Sequence, residues 1–434
     1  MKKKLVIAIA AFVLIPGLGL FSQTNKNYLV RCNEKLVEVV MEDLFNPPVS
    51  SRVYVYPNIA AYEVLCLGNP QLRSLSGQIK HLPKLNLEKT GEINYSIAAD
   101  FAFTTVAKKL VFTERMITLF EEEEKKNWKK QKLDSNLINA SVKYGVMAGK
   151  QIIDWILKDN YIQEKAMERY VLQEDIGCWR PTAPEYMNAL EPNWPYMRPL
   201  VMDSARQIRS VANLVYSEKK TSDFYKVAYE VYKTSMSLDT VQKTIALFWD
   251  CNPNISMSKG HITYFVHKIS PGGHWIKIAG QACSNLNFDE TKTAETYALL
   301  TIGLYDAFLS CWAEKYSSHG IRPETYINRL IDAKWLPYIQ TPPFPEYTSG
   351  HSVISNASAY ILTRVIPQPY AFTDSAEMYI GIPPRAFKSF EQAAAEAAIS
   401  RMYGGIHFMP AITNGAEQGL KVGKLIIDKI KTRQ

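Results

Sequence analysis

An all-α fold is predicted from three features of this 434-residue chain. Long amphipathic stretches recur along it, no fixed-period repeat organises them, and a proline- and aromatic-rich segment joins an N-terminal set to a C-terminal set. The helical stretches are Tyr28 to Leu44, Ile93 to Glu123, Ile138 to Leu157, Asp223 to Trp249, Thr291 to Tyr316, Val353 to Val365, Phe390 to Tyr403 and Gly415 to Lys431. The later ones are expected to form a four-helix-type bundle that carries the active site.

Before the first helix stands MKKKLVIAIAAFVLIPGLGLFSQ, with lysines, an apolar run from Leu5 to Ile15, and then the breakers Pro16 and Gly17. This reads as a signal peptide over residues 1–23, so the body is expected to be exported, in a periplasmic or secreted location; an uncleaved anchor is the alternative. No later stretch is long and apolar enough to cross a bilayer, because Asp306 interrupts the best candidate, Tyr297 to Trp312. Residues 24–200 are expected to form a helical region ending in the connection from Cys178 to Leu200, and residues 201–434 the functional core. Trp179, Tyr186 and Trp194 in that connection are read as packing residues.

With 47% hydrophobic and 21% charged residues, the chain has the composition of a folded globular protein. The formal net charge of +8 does not point to nucleic acid, because lysines concentrate in the leader and in EEEEKKNWKKQK, which reads as a solvated helix end or loop. Six cysteines are scattered without a CxxC pair, and no HExxH run occurs, so local spacing indicates neither a zinc site nor a redox motif.

Three pieces of chain carry chemistry. Lys315 and Arg322 lie seven positions apart, two helical turns, so both cations are expected to project from one side of one helix end ahead of Pro323. The run PPFPEYTSGH then brings Thr348, Ser349 and Gly350 to a helix start, where backbone N–H groups and a hydroxyl make an anion nest. Gly350 permits close approach, and the His351 imidazole can exchange a proton with what binds there. In AAAEAAISRMYGGIHF, a helix through Arg401 ends at Gly404 and Gly405, which deliver His407.

In this order the pieces resemble the signature Lys-x6-Arg-Pro, Pro-Ser-Gly-His, Ser-Arg-x5-His of the superfamily of type 2 phosphatidic acid phosphatases, bacterial acid phosphatases and vanadium-dependent haloperoxidases. The resemblance spans Lys315 to His407. It implies that Lys315, Arg322, Ser349, Gly350 and Arg401 bind the oxygens of vanadate or of a transferring phosphoryl group. His407 would then be the axial vanadate ligand or a phosphorylated nucleophile, and His351 the acid–base. Trp312 and Phe344 stand as pocket-lining aromatics where bacterial vanadium chloroperoxidases look similar, which together with chain length favours a haloperoxidase using hydrogen peroxide and halide. The alternatives are a phosphatase acting on a phosphomonoester through phosphohistidine, and a non-catalytic oxyanion-binding protein.

Two positions depart from the signature. Thr348 replaces proline, where it is expected to cap the helix start, and Ala411 stands where the family often has an aspartate that orients the histidine. His407 therefore needs another acceptor. Asp250 is a candidate carboxylate near His351 or His407, His274 a candidate to line the site, and His319 to shape it.

Overall fold

A computed structural model describes residues 27–434 other than 90, 254 and 260; the leader reading for 1–23 lies outside the described residues. The N-terminal layer comprises α1 (Tyr28–Glu42), α2 (Pro47–Gly68), α3 (Tyr95–Leu110), α4 (Glu114–Lys130), α5 (Ser135–Ile156) and the short α6 (Tyr161–Lys165). Asn27, Asn46, Asn94 and Asp134 start α1, α2, α3 and α5 by accepting hydrogen bonds from first-turn N–H groups.

No amphipathic pattern announces α2. It holds Pro47 and Pro48 in its first turn, where a missing N–H costs nothing, and Pro57 within, and it is buried on every side from Pro47 to Leu65. A helix with no wet face has no stripe to read. The stretch Ile93 to Glu123 is two helices rather than one. The chain turns between them because the Asp43 carboxylate accepts from the N–H groups of Phe112 (2.7 Å) and Thr113 (3.1 Å). The charge run in α4 is likewise more than a solvated end: Glu121 pairs with Lys108 (2.8 Å) and Glu124 with Arg31, both carboxylates buried.

The connection from Cys178 to Leu200 buries Trp179 and Trp194, the latter against Tyr305 at 6.2 Å between rings. Tyr186, expected to pack, is exposed. The C-terminal part continues with α7 (Asp223–Met236), α8 (Thr240–Phe248), the hairpin β1–β2 (Ser256–Lys259, Ile262–Phe265), α9 (Pro271–Asn285), α10 (Glu290–Ser318) and α11 (Pro323–Leu330). It ends with α12 (Gly350–Val365), the hairpin β3–β4 (Phe372–Asp374, Arg385–Phe387), α13 (Phe390–Tyr403) and α14 (Met409–Lys429). Asp239 divides α7 from α8 by forming a capping box with Gln242, a stop inside what reads as one stretch from Asp223 to Trp249.

Helices α10, α12, α13 and α14 pack on one another as the expected bundle, and α10 also packs on α2. One apolar cluster consequently runs from Leu29 to Ile430. Close approach of α14 to α12 requires Gly419, where an added Cβ would lie 2.1 Å from the Val353 carbonyl oxygen. No described helix is long and apolar enough to cross a membrane.

Asp306 ties the connection to the bundle. From inside α10 its carboxylate accepts from the N–H groups of Leu200 (2.8 Å), Val201 (2.9 Å) and Met202 (2.9 Å) and is fully buried. Asp306→Ala is expected to destabilise the protein by about 3–5 kcal/mol by denaturant titration, because it strands several buried donors at once. A loss below about 1 kcal/mol, the size of one ordinary hydrogen bond, would contradict that account.

Candidate functional site

The four bundle helices bring the ends that carry or adjoin Lys315, Ser349, Arg401 and His407 to one place. Lys315 occupies the last turn of α10, which closes on His319 in the left-handed region (φ 51°). Arg322 does not share that helix, as the seven-residue spacing implied: it caps the N-terminus of α11 with extended backbone (φ −82°, ψ 151°). The turn through Gly320 and Ile321 re-aims the second cation, so the two reach the site from different elements.

Lys315 Nζ donates to the carbonyls of Pro345 (3.0 Å), Glu346 (3.1 Å) and Thr348 (2.6 Å), which pins the loop ahead of α12. Arg322 Nε donates to Phe344 O and Nη1 to Ile406 O, each at 2.9 Å, while Nη1 lies 3.2 Å from His407 Nε2. Arg401, in the last turn of α13, donates through Nη2 to the Trp249 carbonyl at 2.7 Å. Ser349 rather than Thr348 caps α12, accepting from Ser352 N, and the Thr348 hydroxyl donates to Gln418 Oε1 at 2.7 Å. Threonine in place of proline thus links α12 to α14 instead of starting a helix.

Gly350 and His351 open α12, so their N–H groups have no intrahelical acceptor. A Cβ at Gly350 would meet Trp312 at 3.9 Å, leaving that wall open to a ligand. Trp312 and Phe344 pack at 5.1 Å between ring centres, and the Lys315 ammonium lies 5.0 Å from the Phe344 ring. Both aromatics line a narrow cavity of about 30 Å³ together with Asp250, Cys251, His351, Arg401 and His407. That is space on the scale of two waters or one small inorganic anion.

Lys315, Arg322 and Arg401 are all essentially inaccessible to solvent. Burial pushes Lys315 down to about 7 and Arg322 to about 10, and lowers Arg401 as well. His407 and His351 are held far below the ordinary histidine value by burial, reinforced by Arg322 and Lys315 at His407 and by Arg401 and His274 at His351. Both imidazoles are therefore neutral at neutral pH.

The acceptor that His407 needs is Glu346. His407 Nδ1 donates to Glu346 Oε1 at 2.7 Å, the same oxygen accepts from Phe408 N at 3.0 Å, and the bond leaves the Nε2 lone pair facing the cradle. Burial lifts Glu346 to about 7 against the pull of Arg322 and Lys315. Glu346 was not among the residues singled out from sequence. The available signal was its place three residues before Ser349, on the loop that Lys315 pins.

Ala411 instead supplies a backbone acceptor, taking the Ser349 N–H at 3.0 Å. Asp250 is buried at the cavity and pairs with Lys268 at 2.7 Å, rather than bonding either site histidine. His274 does not line the cavity; it is buried behind Trp249, ring on ring at 4.6 Å. His319 bonds Tyr170 Oη through Nδ1 at 2.8 Å, outside the cavity lining.

Two buried atoms have no partner here: Arg322 Nη2 and His351 Nε2. Arg401 lines this cavity, Lys315 and Arg322 are buried against the Phe344 ring in its wall, and this buried positive charge with the orphaned nitrogens fits a small oxyanion. Fold and site together define a mostly helical protein in which buried cations and two buried histidines gather at one end of a helical bundle.

Residues 330–433 match the family model described as the second helical-bundle domain of VCPO. The structure is similar to that of a bacterial vanadium-dependent iodoperoxidase, with 41% identity, a TM-score of 0.88, and coverage of 94% of this chain and 97% of that one. The holo form of a bacterial vanadium-dependent chloroperoxidase is similar in fold, at 13% identity and TM-score 0.67 over 93% of this chain and 97% of its own. Its apo-type counterpart gives 14% and 0.65 over 89% and 95%. No curated protein sequence matches the chain. At that identity and coverage to the iodoperoxidase, the chain belongs to the vanadium-dependent haloperoxidase family, whose members are peroxidase-type enzymes.

Proposed function

We propose that the chain holds vanadate in this cradle and uses hydrogen peroxide to oxidise a halide. The observation that carries the reading is one small cavity lined by Arg401, His351 and His407, with Lys315 and Arg322 buried against its aromatic wall and Arg322 Nη2 and His351 Nε2 left without partners. Lys315, Arg322 and Arg401, with the Ser349 hydroxyl and the Gly350 N–H, hold the oxyanion's oxygens. His407 Nε2, kept as a lone pair by the Nδ1–H bond to Glu346, would ligate the vanadate. Bound vanadate would supply the electrophilic centre at which peroxide becomes able to oxidise halide.

His351 moves the proton. Its ring bonds the Trp249 backbone, Nε2 is buried without a partner, and its lowered pKa makes it an acceptor in the resting site. Trp312 and Phe344 wall the approach and exclude water. The 41% identity to an iodoperoxidase supports iodide as the halide, and the sequence of residues 1–23 supports export.

Vanadate added to the metal-free protein is expected to bring on peroxide-dependent iodide oxidation, and phosphate to suppress it by occupying the same cradle. A preparation indifferent to vanadate refutes the reading. Lys315 adds a pH signature. With its pKa depressed to about 7 by burial, it loses its charge as pH rises through that value, so oxyanion affinity falls over the same window. Vanadate's own protonation acts on every variant alike. Lys315→Met should therefore bind more weakly at pH 6 and show a flatter alkaline decline than the wild type by titration calorimetry.

A further inference from the structure

Behind the cradle lies a second cluster that the oxyanion chemistry does not use. Cys251 follows α8, His274 stands in the first turn of α9, and Glu377 lies just past β3; all three are buried. Cys251 Sγ is 3.3 Å from His274 Nδ1 and 3.7 Å from Glu377 Oε1, and that Oε1 is 3.4 Å from His274 Nδ1. The three potential ligand atoms lie within 4.8 Å of one another.

These separations are those of one face of a small tetrahedron. A zinc ion sits about 2.3 Å from thiolate sulfur and about 2.0–2.2 Å from imidazole nitrogen and carboxylate oxygen, so tetrahedral angles set its ligands roughly 3.3–3.6 Å apart. The outer nitrogen of the imidazole is arranged to match. His274 Nε2 bonds Asp374 Oδ2 at 2.7 Å, and the other oxygen of Asp374 accepts from Ala376 N at 2.9 Å. A carboxylate on the far nitrogen fixes the tautomer that leaves Nδ1 free to ligate, the arrangement found behind metal-bound histidines. Thiolate, imidazole and carboxylate together suit a borderline divalent ion such as Zn²⁺ and not Mg²⁺ or Ca²⁺, which take all-oxygen sets.

We propose that Cys251, His274 and Glu377 form a zinc site, distinct from the oxyanion cradle, with Asp374 orienting His274. Because Cys251 also lines the cavity, a water from that side completes the fourth position. The ion ties three distant pieces of chain, residues 251, 274 and 377, into one wall. Trp249 stacks on His274 and gives its carbonyl to Arg401 Nη2, so the tie also holds one of the oxyanion-binding cations in place.

The test uses the full chain, free of vanadate, loaded with zinc and then dialysed. Elemental analysis should find about one zinc per chain in the wild type and less than about a tenth of that in Cys251→Ser and in His274→Gln. Cobalt in place of zinc should give a thiolate-to-cobalt charge-transfer band that Cys251→Ser abolishes, and zinc should raise the wild-type melting temperature by several degrees but not that of the variants. Should a variant fold poorly, X-ray absorption of the zinc-loaded wild type alone still decides, by showing sulfur, nitrogen and oxygen bound directly to the ion. Zinc far below one per chain, zinc that survives both substitutions, or a cobalt form without the thiolate band would overturn the proposal and leave a metal-free hydrogen-bonded Cys–His–Glu cluster. None of these readouts depends on haloperoxidase turnover.

Discussion

Glu346→Gln is expected to lower vanadate-dependent halide oxidation by about 10–100-fold, the usual cost of losing the partner that orients and polarises a metal-ligating histidine. Glutamine keeps the volume and can still accept from His407 Nδ1 and Phe408 N, but it removes the charge that makes Nε2 a stronger donor. The same substitution should not destabilise the fold at pH 8. The folded-state pKa of Glu346 is raised from 4.5 to about 7, so its contribution to stability is present in full below 4.5 and is lost as pH rises through 7. The shift corresponds to roughly 3 kcal/mol withdrawn from the ionised wild type at alkaline pH. Denaturation of vanadate-free protein at pH 5 and pH 8 checks it: the wild type should lose stability between the two relative to the variant. A variant that is fully active, or that is less stable than the wild type at pH 8, would refute the assignment of Glu346 as the residue that positions His407.

His407→Ala should have the larger effect on function. It removes the lone pair itself, so vanadate-dependent turnover is expected to fall by more than about 100-fold, beyond the loss from disturbing its partner. His407 is buried behind Arg322, and alanine leaves Arg322 Nη1 its bond to the Ile406 carbonyl, so the cradle's cations stay in place. Calorimetry then separates the two histidines. His407→Ala should bind vanadate far more weakly, whereas His351→Ala should still bind it and yet turn over slowly, because His351 contributes a proton path rather than a ligand. Equal vanadate affinities for the wild type and His407→Ala would falsify the role of His407 as a residue that holds vanadate.

Much of the site was legible in the chain because each piece is local. A helix end, a helix start and a helix stop can each be read from a few consecutive residues, and Lys315, Ser349, Gly350, Arg401 and His407 take those positions. Arg322 shows the limit of such reading. Seven residues from Lys315 is two turns only if the helix continues, and it stops at Ser318. The aromatics Trp312 and Phe344 were likewise found by position, but only the packed structure shows them facing one cavity with both cations beside them.

By itself the sequence determined a mostly helical chain and the local positions of the residues proposed for the oxyanion cradle, since helix periodicity, caps and stops are written within a few residues of each other. Tertiary structure alone decided that Glu346 supplies the carboxylate missing at Ala411, that α2 is a helix despite its prolines, and that Cys251, His274 and Glu377 converge. The reason is physical. Those outcomes depend on which buried polar atoms are left needing a partner once the helices have packed, and residues separated by 61 positions, as Glu346 and His407 are, have no local pattern that could announce the match.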